Sequence, residues 1–62
     1  MNLKLKARII EKFGQQLIFS REVGTYEARV SNIITGRVKP REDERQAWAK
    51  ALKATPKELF GE

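Results

Sequence analysis

Apolar residues recur at helical spacing along most of this 62-residue chain, and Gly14, Gly24, the stretch from Gly36 to Pro40 and Thr55-Pro56 interrupt them. The pattern predicts five helices. The opening segment, MNLKLKARIIEKFG, is amphipathic: Leu3, Ala7 and Ile10, with Ile9 and Phe13, are expected to form its inner stripe. Lys4, Lys6, Arg8 and Lys12 then form a mostly solvated face, and Gly14 ends the helix.

The next stretch, QLIFSREVGTYEARVSNIITG from Gln16 to Gly36, reads as two short helices hinged at Gly24. The first is expected to run from about Gln15 to Val23. Phe19 and Val23 fall four apart on one face, with the small Ser20 beside them where two crossing helices approach closely. Gly24 takes a positive φ at little cost, which suits a chain that leaves one helix and enters another within a few residues. Thr25 is expected to cap the second helix through its hydroxyl. Val30, Ile33 and Ile34 are that helix's apolar residues, leaving Glu27, Ala28, Arg29, Ser31 and Asn32 facing away from the core. The basic tail Arg37-Val38-Lys39 follows.

Pro40 closes the connecting loop, and Glu42, Asp43 and Glu44 occupy a first helical turn, where they favour the positive end of the helix dipole. This helix is expected to reach about Lys53. Trp48 and Leu52, among Ala47, Ala49 and Ala51, give it one large core anchor surrounded by small residues. Thr55-Pro56-Lys57-Glu58 is a helix start with a capping box and proline at the first position. The short last helix carries Leu59 and Phe60, and Phe60 either closes the core or lies at a subunit contact.

A chain this short forms one domain, residues 1–62, and buries only about 60% of the surface its unfolded form exposes. An active-site cavity is not expected. With no cysteine and no histidine, thiolate and imidazole metal ligands, cysteine nucleophiles and histidine acid–base catalysis are excluded. No metal, cofactor or small-molecule ligand is expected, and an enzyme is the weakest reading. Thirteen Lys and Arg against eight acidic residues give a net charge of +5, the electrostatic footprint of a nucleic-acid binder. No segment approaches the roughly 18 to 20 apolar residues that span a bilayer, and the absence of cysteine and of a signal sequence fits a cytoplasmic protein.

Three segments, FGQQLIFSREVG, VSNIITGRVKP and WAKALKATPKELF, make the chain resemble the lambda-repressor-like helix-turn-helix family over residues 5 to 60. That family includes phage Cro proteins, C1-type repressors and related bacterial regulators. The resemblance implies an all-α, compact five-helix DNA-binding domain whose helices 2 and 3 form the helix-turn-helix. Its partner would be double-stranded DNA at an inverted-repeat operator. Base contacts would fall on Tyr26, Glu27, Ala28 and Asn32, with Arg29 close enough to reach a base or a phosphate. Phosphate contacts would fall on Gln15, Gln16, Thr35, Arg37 and Lys39. On general grounds Asn32 suits adenine and Ala28 the thymine methyl group. One recognition helix covers half a site, so a weak homodimer, formed mainly on DNA, is expected, with Phe60 as its candidate contact.

The chain departs from the family at Ser20, where Ala is usual, at Lys53, where Gly is usual, and at Arg45, where an aliphatic residue is usual. Glu27 is also unusual at the start of a recognition helix: it either accepts a hydrogen bond from cytosine or pairs with Arg29. The competing reading is a small helical protein-interaction module, an adaptor or antitoxin-like domain without an operator of its own. It predicts an exposed apolar patch that includes Phe60 or Ile34.

Overall fold

A computed structural model describes residues 1–61, and within them five helices follow one another in chain order: α1 (Leu3–Phe13), α2 (Gln16–Glu22), α3 (Glu27–Thr35), α4 (Glu42–Ala51) and α5 (Pro56–Phe60). α1 packs against α2, α3 and α5, α2 against α3, and α4 against α5. The Cα radius of gyration is 10.0 Å.

One apolar cluster draws on every helix: Leu5, Ile9, Phe19, Val30, Ile33, Ile34, Trp48, Ala49, Leu52 and Leu59 are buried. An aromatic chain runs through it. Phe13 meets Phe19 edge-on with ring centroids 5.3 Å apart, Phe19 meets Trp48 at 5.0 Å, and Trp48 meets Phe60 at 6.3 Å. The first two are edge-to-face pairs, which add to simple area burial, and the third is tilted at 43°. They link α1, α2, α4 and α5 through one line of rings.

The inner stripe expected on α1 is met at Ile9 and Phe13, but Leu5 replaces Leu3, Ala7 and Ile10 in it. Leu5 and Ile9 are fully buried and Phe13 partly so, whereas Leu3 is 67% and Ile10 44% exposed and Ala7 faces solvent. Two apolar rows compete on this helix, and the row Leu5–Ile9–Phe13 carries the larger side chains. Asn2 fixes the choice. Its Oδ1 accepts the Leu5 N–H at 3.0 Å, its Nδ2 donates to the Leu59 carbonyl at 2.7 Å, and its own N–H donates to the Ile34 carbonyl at 2.7 Å. One residue thus caps α1 and ties it to the ends of α3 and α5. Arg8 also leaves the solvated face, because its Nη1 donates to the Leu52 carbonyl at 3.2 Å and satisfies the end of α4.

α4 ends at Ala51, two residues before the expected Lys53, and Lys53 has a φ of 53°, the only positive φ outside glycine among the described residues. The helix is terminated by a left-handed residue of the wrong type for it. α5 starts as its sequence predicts. Thr55 Oγ1 accepts the Glu58 N–H and Glu58 Oε1 accepts the Thr55 N–H, both at 3.1 Å.

Candidate nucleic-acid interface

α2 and α3 are joined by Val23, Gly24, Thr25 and Tyr26, and the turn is built as its sequence demands at Gly24, whose φ is 79°. Ser20 is 1% exposed, donates its hydroxyl to the Leu17 carbonyl at 2.7 Å, and accepts the Thr25 N–H on its own carbonyl at 2.8 Å. A small residue is therefore required at the crossing. Thr25 does not cap α3: the capping position is Tyr26, extended at φ −124° and ψ 159°, and its side chain makes no capping bond. The turn is one residue longer than the threonine cap assumed. The same holds at α2, where Gln15 occupies the capping position without a side-chain bond and Gln16 is the first helical residue.

The inner side of α3 is closed by Val30, Ile33 and Ile34, all buried. Ala28, Asn32 and Thr35, at spacings of four and three, share the opposite face. Ala28 and Thr35 are exposed and Asn32 half-buried, and Tyr26 and Glu27 are exposed at the start of the helix. Gly36 takes the left-handed conformation at φ 88°, after which the Asn32 carbonyl accepts the N–H groups of Arg37 at 2.9 Å and Val38 at 3.2 Å. Val38 packs on the core while Arg37 and Lys39 on either side of it remain exposed. The loop thus holds two cations outward from one apolar anchor.

Arg29 does not point outward with them. Its Nε donates to Glu44 Oε2 at 2.6 Å and its Nη2 to Glu44 Oε1 at 2.7 Å, a bidentate pair between α3 and α4. Glu44 is only 7% exposed and also accepts the Arg41 N–H at 2.8 Å. The Arg29 hydrogen bonds hold its carboxyl at about 2, well below the ordinary value of 4.5, against the opposing effect of burial. Glu27 lies on the other flank of α3, two residues away, and cannot pair with Arg29. Of the positions expected to face DNA, Arg29 is the one engaged by an ion pair to another helix. The signal was present only as a partner 15 residues distant, a buried acid inside what reads as a solvated first turn.

Between this turn and α4 lies an open cleft of about 300 Å³, bordered by Tyr26, Arg29, Arg41, Asp43 and Ala47 and floored by Trp48. Phe60 is half-buried against Trp48, with the Arg45 guanidinium 5.6 Å from its ring centre, and Ile34 is 2% exposed. Neither therefore offers the open apolar patch that a protein-interaction module was expected to show there. Among the described residues, no group of His, Cys, Asp or Glu is placed to hold a metal ion, and no helix is long and apolar enough to cross a membrane. No family model, no curated protein and no solved structure matches the chain.

Proposed function

We propose that this protein is a sequence-specific double-stranded-DNA-binding transcriptional regulator of the Cro or C1-repressor type. α2 and α3 act as the helix-turn-helix of a lambda-repressor-like domain, and α3 enters the major groove. One observation carries this reading: α3 is clamped along its inner side by three buried aliphatic residues and along one flank by Glu44, while its Ala28–Asn32–Thr35 face stays open beside a loop that presents Arg37 and Lys39. A rigid helix with a free small and polar face is what base readout in the major groove requires.

In this reading Tyr26, Glu27, Ala28 and Asn32 meet base edges, and Gln15, Gln16, Thr35, Arg37 and Lys39 meet the phosphate backbone. Arg29 leaves the base-contact set and becomes the residue that positions α3 on α4. The net charge of +5 supplies the sequence-independent, salt-sensitive part of the affinity. A dimer would place two copies of α3 about 34 Å apart on an inverted repeat, and occupancy of that site would exclude polymerase. The reading invokes no cofactor, metal or catalysis.

The test is a fluorescence-anisotropy titration against a pool of random duplex DNA at two salt concentrations, with sequencing of the bound fraction. Enrichment of a short inverted repeat with steep salt dependence is the expected result. Absence of binding at low salt would overturn the proposal.

A further inference from the structure

α1 buries Leu5, Ile9 and Phe13 and leaves its opposite side uncovered, and that outward side is patterned. Ala7 stands at its centre. Leu3 and Ile10, seven residues apart, line one flank of Ala7, and Lys4 and Glu11, also seven apart, line the other. All five are exposed, and none takes part in the hydrogen bonds that hold α1 to α3, α4 and α5. Exposed Leu and Ile residues scattered singly are ordinary on a protein surface. Here they flank a small residue on one face, beside a cation and an anion at matching heights.

We infer that this face of α1 is the contact for a second copy of the chain, packed antiparallel across a twofold axis at Ala7. A twofold axis lying in the interface and perpendicular to the helices brings each flank against the same flank of the partner, run in reverse. Position 3 or 4 on one copy then meets position 10 or 11 on the other. Leu3 packs on Ile10 of the second copy along one side, twice over. Lys4 faces Glu11 of the second copy along the other side, also twice, so charges that are merely neighbours on the monomer become complementary in the pair. Ala7 at the axis permits the close approach of roughly 8 Å that small residues allow between helices. A parallel twofold pair instead sets the Lys4–Glu11 flank of each copy against the Leu3–Ile10 flank of the other, placing charges on apolar side chains, which selects the antiparallel one. An interface built on so short a stripe falls well below the standard size of about 1,600 Å², and each copy carries +5, so the association is weak and gains most when both copies are held on a common partner.

The inference stands apart from the DNA reading, because it is tested on the protein alone. Sedimentation equilibrium from micromolar to millimolar concentration should show a reversible monomer–dimer equilibrium. Ile10→Glu should raise the dissociation constant by at least about tenfold while leaving the helical circular-dichroism signal and the melting temperature nearly unchanged. Lys4→Glu or Glu11→Lys alone should weaken association, and the two together should restore it. A monomer at every concentration would overturn the proposal. So would a dimer indifferent to Ile10→Glu, which would place the contact elsewhere, at Phe60 for example, and so would failure of the double charge exchange to restore what either single one loses.

Discussion

Arg29 and Glu44, fifteen residues apart in sequence, form a bidentate ion pair at 2.6 and 2.7 Å that fastens the third helix to the first turn of the fourth. The carboxylate is almost wholly buried, so its partner is not optional. Removing one member of a buried pair costs more than the pair contributes over an apolar substitute, because the survivor remains desolvated. Glu44→Gln should lower the unfolding free energy by roughly 2 kcal/mol, less than for a fully buried pair because Arg29 keeps some solvent. Urea denaturation at neutral pH measures this, and a loss within experimental error would mean the pair is energetically idle.

The same pair sets a pH dependence. Glu44 titrates at about 2 in the folded protein against 4.5 ordinarily, so the unfolded chain binds the proton first. Its contribution is complete above about pH 4.5, shrinks as pH falls below that value, and is lost once pH has dropped through about 2. Stability curves for the wild type and Glu44→Gln should converge as the solution is acidified. Parallel curves down to pH 2 would show that other carboxylates carry the acid sensitivity.

Lys53 offers the opposite kind of change. Its φ of 53° places a residue with a Cβ where the left-handed conformation costs about 1 to 2 kcal/mol. Lys53→Gly removes that strain and gives back part of it as added entropy of the unfolded chain. A net gain of about 0.5 to 1 kcal/mol is expected, raising the melting temperature by a few degrees in a domain of this size. Lys53→Ala, which keeps the Cβ, should show no such gain.

The features legible in the sequence were those whose signal is local. Ser20 between the crossing helices, Gly24 in the turn, Trp48 at the centre of the core and the Thr55–Glu58 capping box each announce themselves within a few residues. The face of α1 was legible only in part: Ile9 and Phe13 were expected inside, but Leu3–Ala7–Ile10 and Leu5–Ile9–Phe13 are both helical rows and only Asn2, reaching Ile34 and Leu59, decides between them. Arg29 failed for the same reason: its outward-looking position says nothing of Glu44, and Glu44 in a run of three acids looks like dipole compensation. Long-range polar partners are not encoded in periodicity.

Asn2 is accordingly a stability determinant hidden at a chain end. Its side chain both caps α1 and donates to the Leu59 carbonyl. Asn2→Ala removes the cap and leaves a half-buried carbonyl without its donor, a loss of about 1 to 2 kcal/mol. Asn2→Asp should keep the cap and forfeit the bond to Leu59, giving an intermediate melting temperature. Equality of all three would show that the main-chain bond to Ile34 alone anchors the end of the chain.

The proposed division between base-reading and positioning residues on α3 gives the sharpest functional test. Asn32→Ala should weaken binding to a selected operator by about 1 to 3 kcal/mol and spare random DNA, whereas Lys39→Ala should weaken both alike and lower the salt slope by about one. Arg29 should behave as neither. Replacing Arg29 by Met and Glu44 by Gln together removes both charges of the pair while Gln keeps an oxygen for the Arg41 N–H. The double variant should fold, and sequencing of its bound fraction should recover the same preferred bases as the wild type. If Arg29 reads a base, that position will lose its preference in the double variant even though the fold survives, and the guanidinium would have to leave Glu44 when DNA binds.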